Sequence, residues 1–257
     1  MVMVRLMPSP TNWLLKSLMG HWLAFRAYGE YVRLSQDVVS DPDMHYHIPA
    51  LGFDGSYYEA YTMLAKMIWQ PQPEVKQQIA ETIGSLSLPR VYSGVQIRGG
   101  DKAQEARLIT GKQIIEALHP ADGDCIFALA DNYIQLEIVR SEFSKLRIVS
   151  LSQPEDQGYS HQAFCIADPP SKRAAIIRLI VSIDLLLHAK RFAGSITTGP
   201  SVFIMKQRYA EPSVIAVDCA KEMLESVLTL PIDQRAALSA NKMSNPLTKK
   251  NNESLNK

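Results

Sequence analysis

The chain has 257 residues, 46% of them hydrophobic and 21% charged, with a net charge of +1. That length buries a sizeable core in one large domain or two small ones, and the near-zero charge gives no electrostatic case for nucleic acid. The cysteines, Cys125, Cys165 and Cys219, are three in number and far apart with no CxxC pair, which argues against a zinc site or a disulfide framework and fits a reducing, cytoplasmic compartment.

In chain order, residues 1–70 form a region rich in tryptophan and tyrosine, broken by turn residues at 40–43 and 53–56. It reads as short helices joined by loops. Residues 13–28 are apolar but carry Lys16, His21 and Arg26. They fall short of the roughly 20 uninterrupted apolar residues of a membrane span and lack a signal-peptide cleavage site, so an ordinary helix is expected there. His45 and His47 alternate, but no third ligand accompanies them, and a surface loop is expected rather than a metal site. Apolar spacing of three and four over 57–69 predicts a helix. Gln70-Pro71-Gln72-Pro73 stops it, and 74–85 reads as a second helix with Val75, Ile79 and Ile83 on one face.

From there strands and helices alternate. Strands are expected at 91–97, 125–130, 147–151, 192–196 and 214–217, and helices at 111–118, 133–143, 172–190, 201–208, 220–228 and 232–239. Near-continuous Val, Ile and Ala strands separated by helices point to a buried parallel sheet, an α/β Rossmann-like domain over 71–240. Residues 241–257 are rich in Asn, Lys and Ser and are expected to be disordered.

In such folds ligands bind at the carboxyl ends of the strands. The first strand ends in Gly94-Val95-Gln96-Ile97-Arg98-Gly99-Gly100-Asp101-Lys102, with Glu105 close behind. Arginine clamps phosphate through a planar fork. The second strand runs into Asp131-Asn132, and 192–196 runs into Thr197-Thr198-Gly199-Pro200-Ser201. A helix N-terminus with small hydroxyl residues suits a phosphate; the same residues also suit a plain helix cap. Asp184 interrupts an apolar helix, which fits either a ligand hydrogen bond or a structural one.

Taken together, 94–106, 127–132, 183–186 and 192–201 resemble, in order and approximate spacing, the conserved blocks of the α-1,6-fucosyltransferases. The resemblance covers residues 71–210. It implies the donor half of a GT-B-type glycosyltransferase, with 1–70 a reduced acceptor region. The implied reaction is metal-independent, inverting transfer of fucose from GDP-fucose to a glycan hydroxyl. Arg98 would hold the β-phosphate, Ser201 or Thr198 would add a hydroxyl to the diphosphate, and Asp184 would bind guanine. Glu105 would be the base, with Lys102 beside it as a relay, and Asp131 falls in the second block. Gln96 stands where the family has a histidine and Gly99 where it has a second arginine, and the step from Lys102 to Glu105 is one residue short. The acceptor is not legible, and the aromatic N-terminal region leaves an oligomeric contact open. A non-catalytic nucleotide- or glycan-binding protein is the alternative expectation, and an unrelated α/β nucleotide-binding protein is a third.

Overall fold

The computed structural model describes residue 43 and residues 45–100, 109–209 and 211–244. The apolar stretch 13–28 and the residues Asp101, Lys102 and Glu105 lie outside the described residues.

The first described elements are β1 (His45–Ile48), a short 3-10 turn (Pro49–Leu51) and β2 (Phe53–Ser56), which form an antiparallel hairpin. Loops are predicted here, because Asp54-Gly55 reads as a turn. The strand forms because Asp54 has cross-strand partners. His45 Nε2 bonds one carboxylate oxygen and His47 Nδ1 approaches the other at 2.9 Å. These two bonds hold the Asp54 carboxyl below its ordinary range. Helix α1 (Tyr57–Ile68) follows, opened by a capping box between Ser56 and Glu59, and then α2 (Pro73–Ser85), both as predicted.

The rest alternates: β3 (Ser93–Ile97), α3 (Gly111–Glu116), β4 (Cys125–Ala130), α4 (Tyr133–Glu142), β5 (Arg147–Val149), α5 (His161–Ile166), α6 (Pro169–His188), β6 (Arg191–Gly194), α7 (Gly199–Gln207), β7 (Val214–Ala216), a 3-10 turn (Lys221–Met223), α8 (Leu224–Thr229) and α9 (Ile232–Ser244). The strands form one parallel sheet in the order β5-β4-β3-β6-β7. The protein is therefore α/β with a Rossmann-like five-stranded parallel sheet. Side chains alternate across it. Ile126, Ala128 and Ala130 pack with Ile114, Ile115, Leu136 and Val139 of α3 and α4. Phe127 turns to the other face, with Val181, Leu185 and Leu186 of α6 and Ile204 and Met205 of α7. Among the described residues, no helix is long and apolar enough to cross a membrane.

Two expectations need correction, and one helix is additional. The sixth strand stops at Gly194 instead of running to Ile196, because the Ile196 N–H leaves the ladder and donates to Asp218 at 3.0 Å. Helix α5 forms in a stretch for which the sequence predicts no element, since six residues carry too little periodicity to detect. The predicted disorder from 241 is wrong for its first four residues: α9 runs to Ser244. Asparagine and serine cost a helix only a few tenths of a kcal/mol each.

Candidate functional site

The chain order of the strands reverses between β3 and β6, the switch point at which such sheets open a crevice. The ladder shows the opening. Strand β3 pairs with β6 only over Ser93–Val95, whereas its pairing with β4 continues to Ile97. Gln96 lies just past the last β3–β6 pair and fills the gap.

Its amide oxygen is the hub of the site. Gln96 Oε1 accepts the Thr198 hydroxyl at 2.7 Å, the Ser201 backbone N–H at 2.8 Å and the Ser201 hydroxyl. Thr198 is the N-cap of α7 but makes no side-chain cap bond of its own. The cap comes from the neighbouring strand instead. A side chain on Gly194 would collide with Ser201 Oγ, so glycine there lets the helix come close. Ser201 is fully buried and faces Gln96, not open space. A hydroxyl has one proton to donate, and in this structure those of both Thr198 and Ser201 go to Gln96. The cap reading is realised, with Gln96 of the neighbouring strand supplying the acceptor, and the turn borders the cleft.

A second group braces the same turn from below. Asp218, 1% exposed, accepts the Ser195 hydroxyl at 2.7 Å, the Ser239 hydroxyl at 2.8 Å and the Ile196 N–H. Arg235 of α9 donates to the Ile196 carbonyl at 2.6 Å. Burial pulls its guanidinium below the ordinary value, against the opposing charge of Asp218. Sequence reasoning missed all three braces. The available signal was an acid directly after the apolar strand 214–217.

On the other side of Gln96 a cleft of about 550 Å³ opens at the carboxyl ends of β3 and β4. Arg98 and Asp131 form its floor. The guanidinium donates to Asp131 Oδ2 at 2.5 Å, and the Asp131 carboxylate also takes the Gly99 N–H at 2.6 Å and the Tyr159 N–H at 3.2 Å. Arg98 lies 5.1 Å from the Tyr159 ring centre, within cation–π range. The far wall is the loop after β5, stitched to the β4–α4 turn by Gly158 N–H to Asp131 O at 2.9 Å and Tyr133 N–H to Asp156 O at 2.7 Å. Arg178 of α6 reaches into the cleft and pairs with Asp156 at 3.3 Å. No sequence pattern pointed to this second arginine.

The structure thus gathers Gln96, Arg98, Asp131 and Thr198 around one cleft. Asp184 does not join them. Ala175, Leu179 and Ser182 of α6 line the cleft. At about 100° per residue, Asp184 falls on the opposite face of that helix. It lies 3.8 Å from His188. Its charge adds to the burial that pushes the Tyr92 hydroxyl up to about 12, and Tyr92 sits at the amino edge of β3, the far end of the sheet.

Chemically, the cleft offers a helix start and two guanidiniums, each already paired with a carboxylate. An anion entering the cleft would have to exchange with those carboxylates for the guanidiniums. No protein-family model matches the chain, and among curated proteins none matches it.

Proposed function

We propose that the chain is a nucleotide-sugar-dependent glycosyltransferase of GT-B type that transfers fucose from GDP-fucose to a glycan hydroxyl with inversion and without a metal. The carrying observation is the placement of Arg98 and the α7 start on the two sides of the switch-point crevice, beside a cleft of about 550 Å³. Cleft and crevice together suit a diphosphate with a sugar beyond it. The choice of GDP and fucose rests on the resemblance of 94–106 and the later blocks to the α-1,6-fucosyltransferases. In this reading Arg98 exchanges Asp131 for the β-phosphate and steadies the charge that grows on the departing diphosphate. Glu105 takes the acceptor proton, with Lys102 as its relay. Incubation of the full chain with GDP-fucose and a panel of glycan acceptors tests it. Release of GDP, abolished in Glu105→Gln while GDP binding persists, supports transfer.

One observation favours a second reading, a non-catalytic binder of a nucleotide or glycan. Gln96 already occupies the helix N-terminus that a phosphate would otherwise cap. GDP binding with no turnover of any donor would establish that reading over the first.

A further inference from the structure

The amide of Gln96 has a fixed orientation. A backbone N–H can only donate, so the Gln96 atom 2.8 Å from the Ser201 nitrogen is the oxygen. Three donors converge on it. The nitrogen on the same planar group then carries two N–H bonds, and it makes no hydrogen bond to any described residue. Gln96 is 6% exposed, and it lines the cleft. The nitrogen is not among the fully buried unpartnered atoms, so its donors are accessible from the cleft and open to an acceptor there. The first turn of α7 behaves alike. Pro200 has no N–H, Ser201 donates to Gln96, and Val202 donates to the Thr198 carbonyl at 3.0 Å. The Gly199 N–H is left, exposed at the cleft wall and without a partner among the described residues.

We infer that Gln96 is the phosphate-reading donor of the cleft, and that Thr198 and Ser201 are positioning residues that act through it without touching the ligand. The inference rests on the nucleotide reading above. An acceptor-rich anion is the fitting occupant: Gln96, Gly199 and Arg98 line the same cleft, beside the positive end of a nine-residue helix. The buried hydroxyls spend their protons on the oxygen of Gln96. This polarises the amide and makes its N–H bonds stronger donors.

Titration of the full chain with inorganic pyrophosphate, GDP and guanosine tests this. Gln96→Glu keeps an oxygen for all three buried donors but replaces the two cleft N–H groups with a carboxylate oxygen and its negative charge, so the uncharged Gln96→Met is measured beside it and must weaken pyrophosphate binding too. Gln96→Glu is expected to melt no lower than wild type, yet to bind pyrophosphate and GDP at least about tenfold more weakly, with guanosine unchanged. Ser201→Ala is expected to weaken pyrophosphate binding severalfold in the wild-type background and not at all in Gln96→Glu. Unchanged pyrophosphate affinity in Gln96→Glu overturns the inference while leaving the nucleotide reading intact. So does a loss confined to guanosine and GDP, which would make Gln96 a base reader, or a Ser201→Ala effect that is the same in both backgrounds. A wild-type chain that binds neither GDP nor pyrophosphate overturns the nucleotide reading and this inference with it.

Discussion

Gly100, just beyond β3, and Gly158, in the loop after β5, meet backbone to backbone. A Cβ on Gly158 would fall 2.6 Å from the Gly100 Cα, and one on Gly100 would fall 2.6 Å from the Tyr159 nitrogen. Both residues have positive φ, +63° and +105°. This contact lets the loop that carries Asp156 and Tyr159 close over the Arg98 turn.

Alanine at either glycine meets a left-handed backbone and a backbone neighbour together. Each replacement is expected to cost about 2 kcal/mol and to lower the melting temperature by several degrees. Because the wall moves with it, GDP affinity is expected to fall too. Thermal melts and calorimetry of Gly158→Ala check both effects, and a Gly99→Ala variant, whose Cβ would approach side-chain atoms alone, the nearest being the Asn132 Cβ at 3.0 Å, is expected to be the milder.

Asp131 and Arg98 are expected to act as one unit. Removal of the arginine leaves a half-buried carboxylate, and removal of the carboxylate frees the arginine from the Gly99 and Tyr159 amides that fix its partner. The effects of Arg98→Ala and Asp131→Ala on GDP binding should therefore be non-additive by about 1 kcal/mol or more in a double-mutant cycle.

Asp218 predicts a stability effect with no direct ligand effect. Asp218→Ala removes the acceptor of the Ser195 and Ser239 hydroxyls and of the Ile196 N–H, and the opposing charge near the partly buried Arg235, at once. A loss of about 3 kcal/mol or more is expected in denaturant titrations. Asp218→Asn keeps an acceptor oxygen and should lose less.

The β1–β2 hairpin predicts an acid response. The Asp54 carboxyl is held down by its bonds to His45 and His47, so the folded pKa lies below the unfolded one. Its contribution to stability is fully present above the ordinary carboxylate pKa of about 3.9 and fades as pH falls through the lower folded value. In the double variant His45→Ala/His47→Ala the Asp54 carboxyl should titrate higher, near its ordinary value. Carbon-detected NMR titration of the side chain reads this directly.

Much of the frame was legible because it is periodic. Apolar strands at 93–97 and 125–130 and helices with three-and-four spacing were found within a few residues of their ends. The hairpin was not, because Asp54 and Gly55 favour strand only once His45 and His47 lie opposite. The site was legible at Gln96, Arg98, Asp131 and Thr198, which stand at strand ends. Arg178 was not, since its position in the cleft depends on which face of α6 packs inward. The same facing carries Asp184 away. Ser201 was expected to face the ligand, but a partner 105 positions away in sequence took its donors, and no local pattern encodes that.

The most direct test of the nucleotide site is calorimetric titration of GDP into the full chain beside its Arg98→Ala variant, each checked for folding by circular dichroism. Saturable binding by the wild type, weakened at least about tenfold in Arg98→Ala, is the predicted result. No binding of GDP at millimolar concentration, or equal affinity in the two proteins, would contradict it.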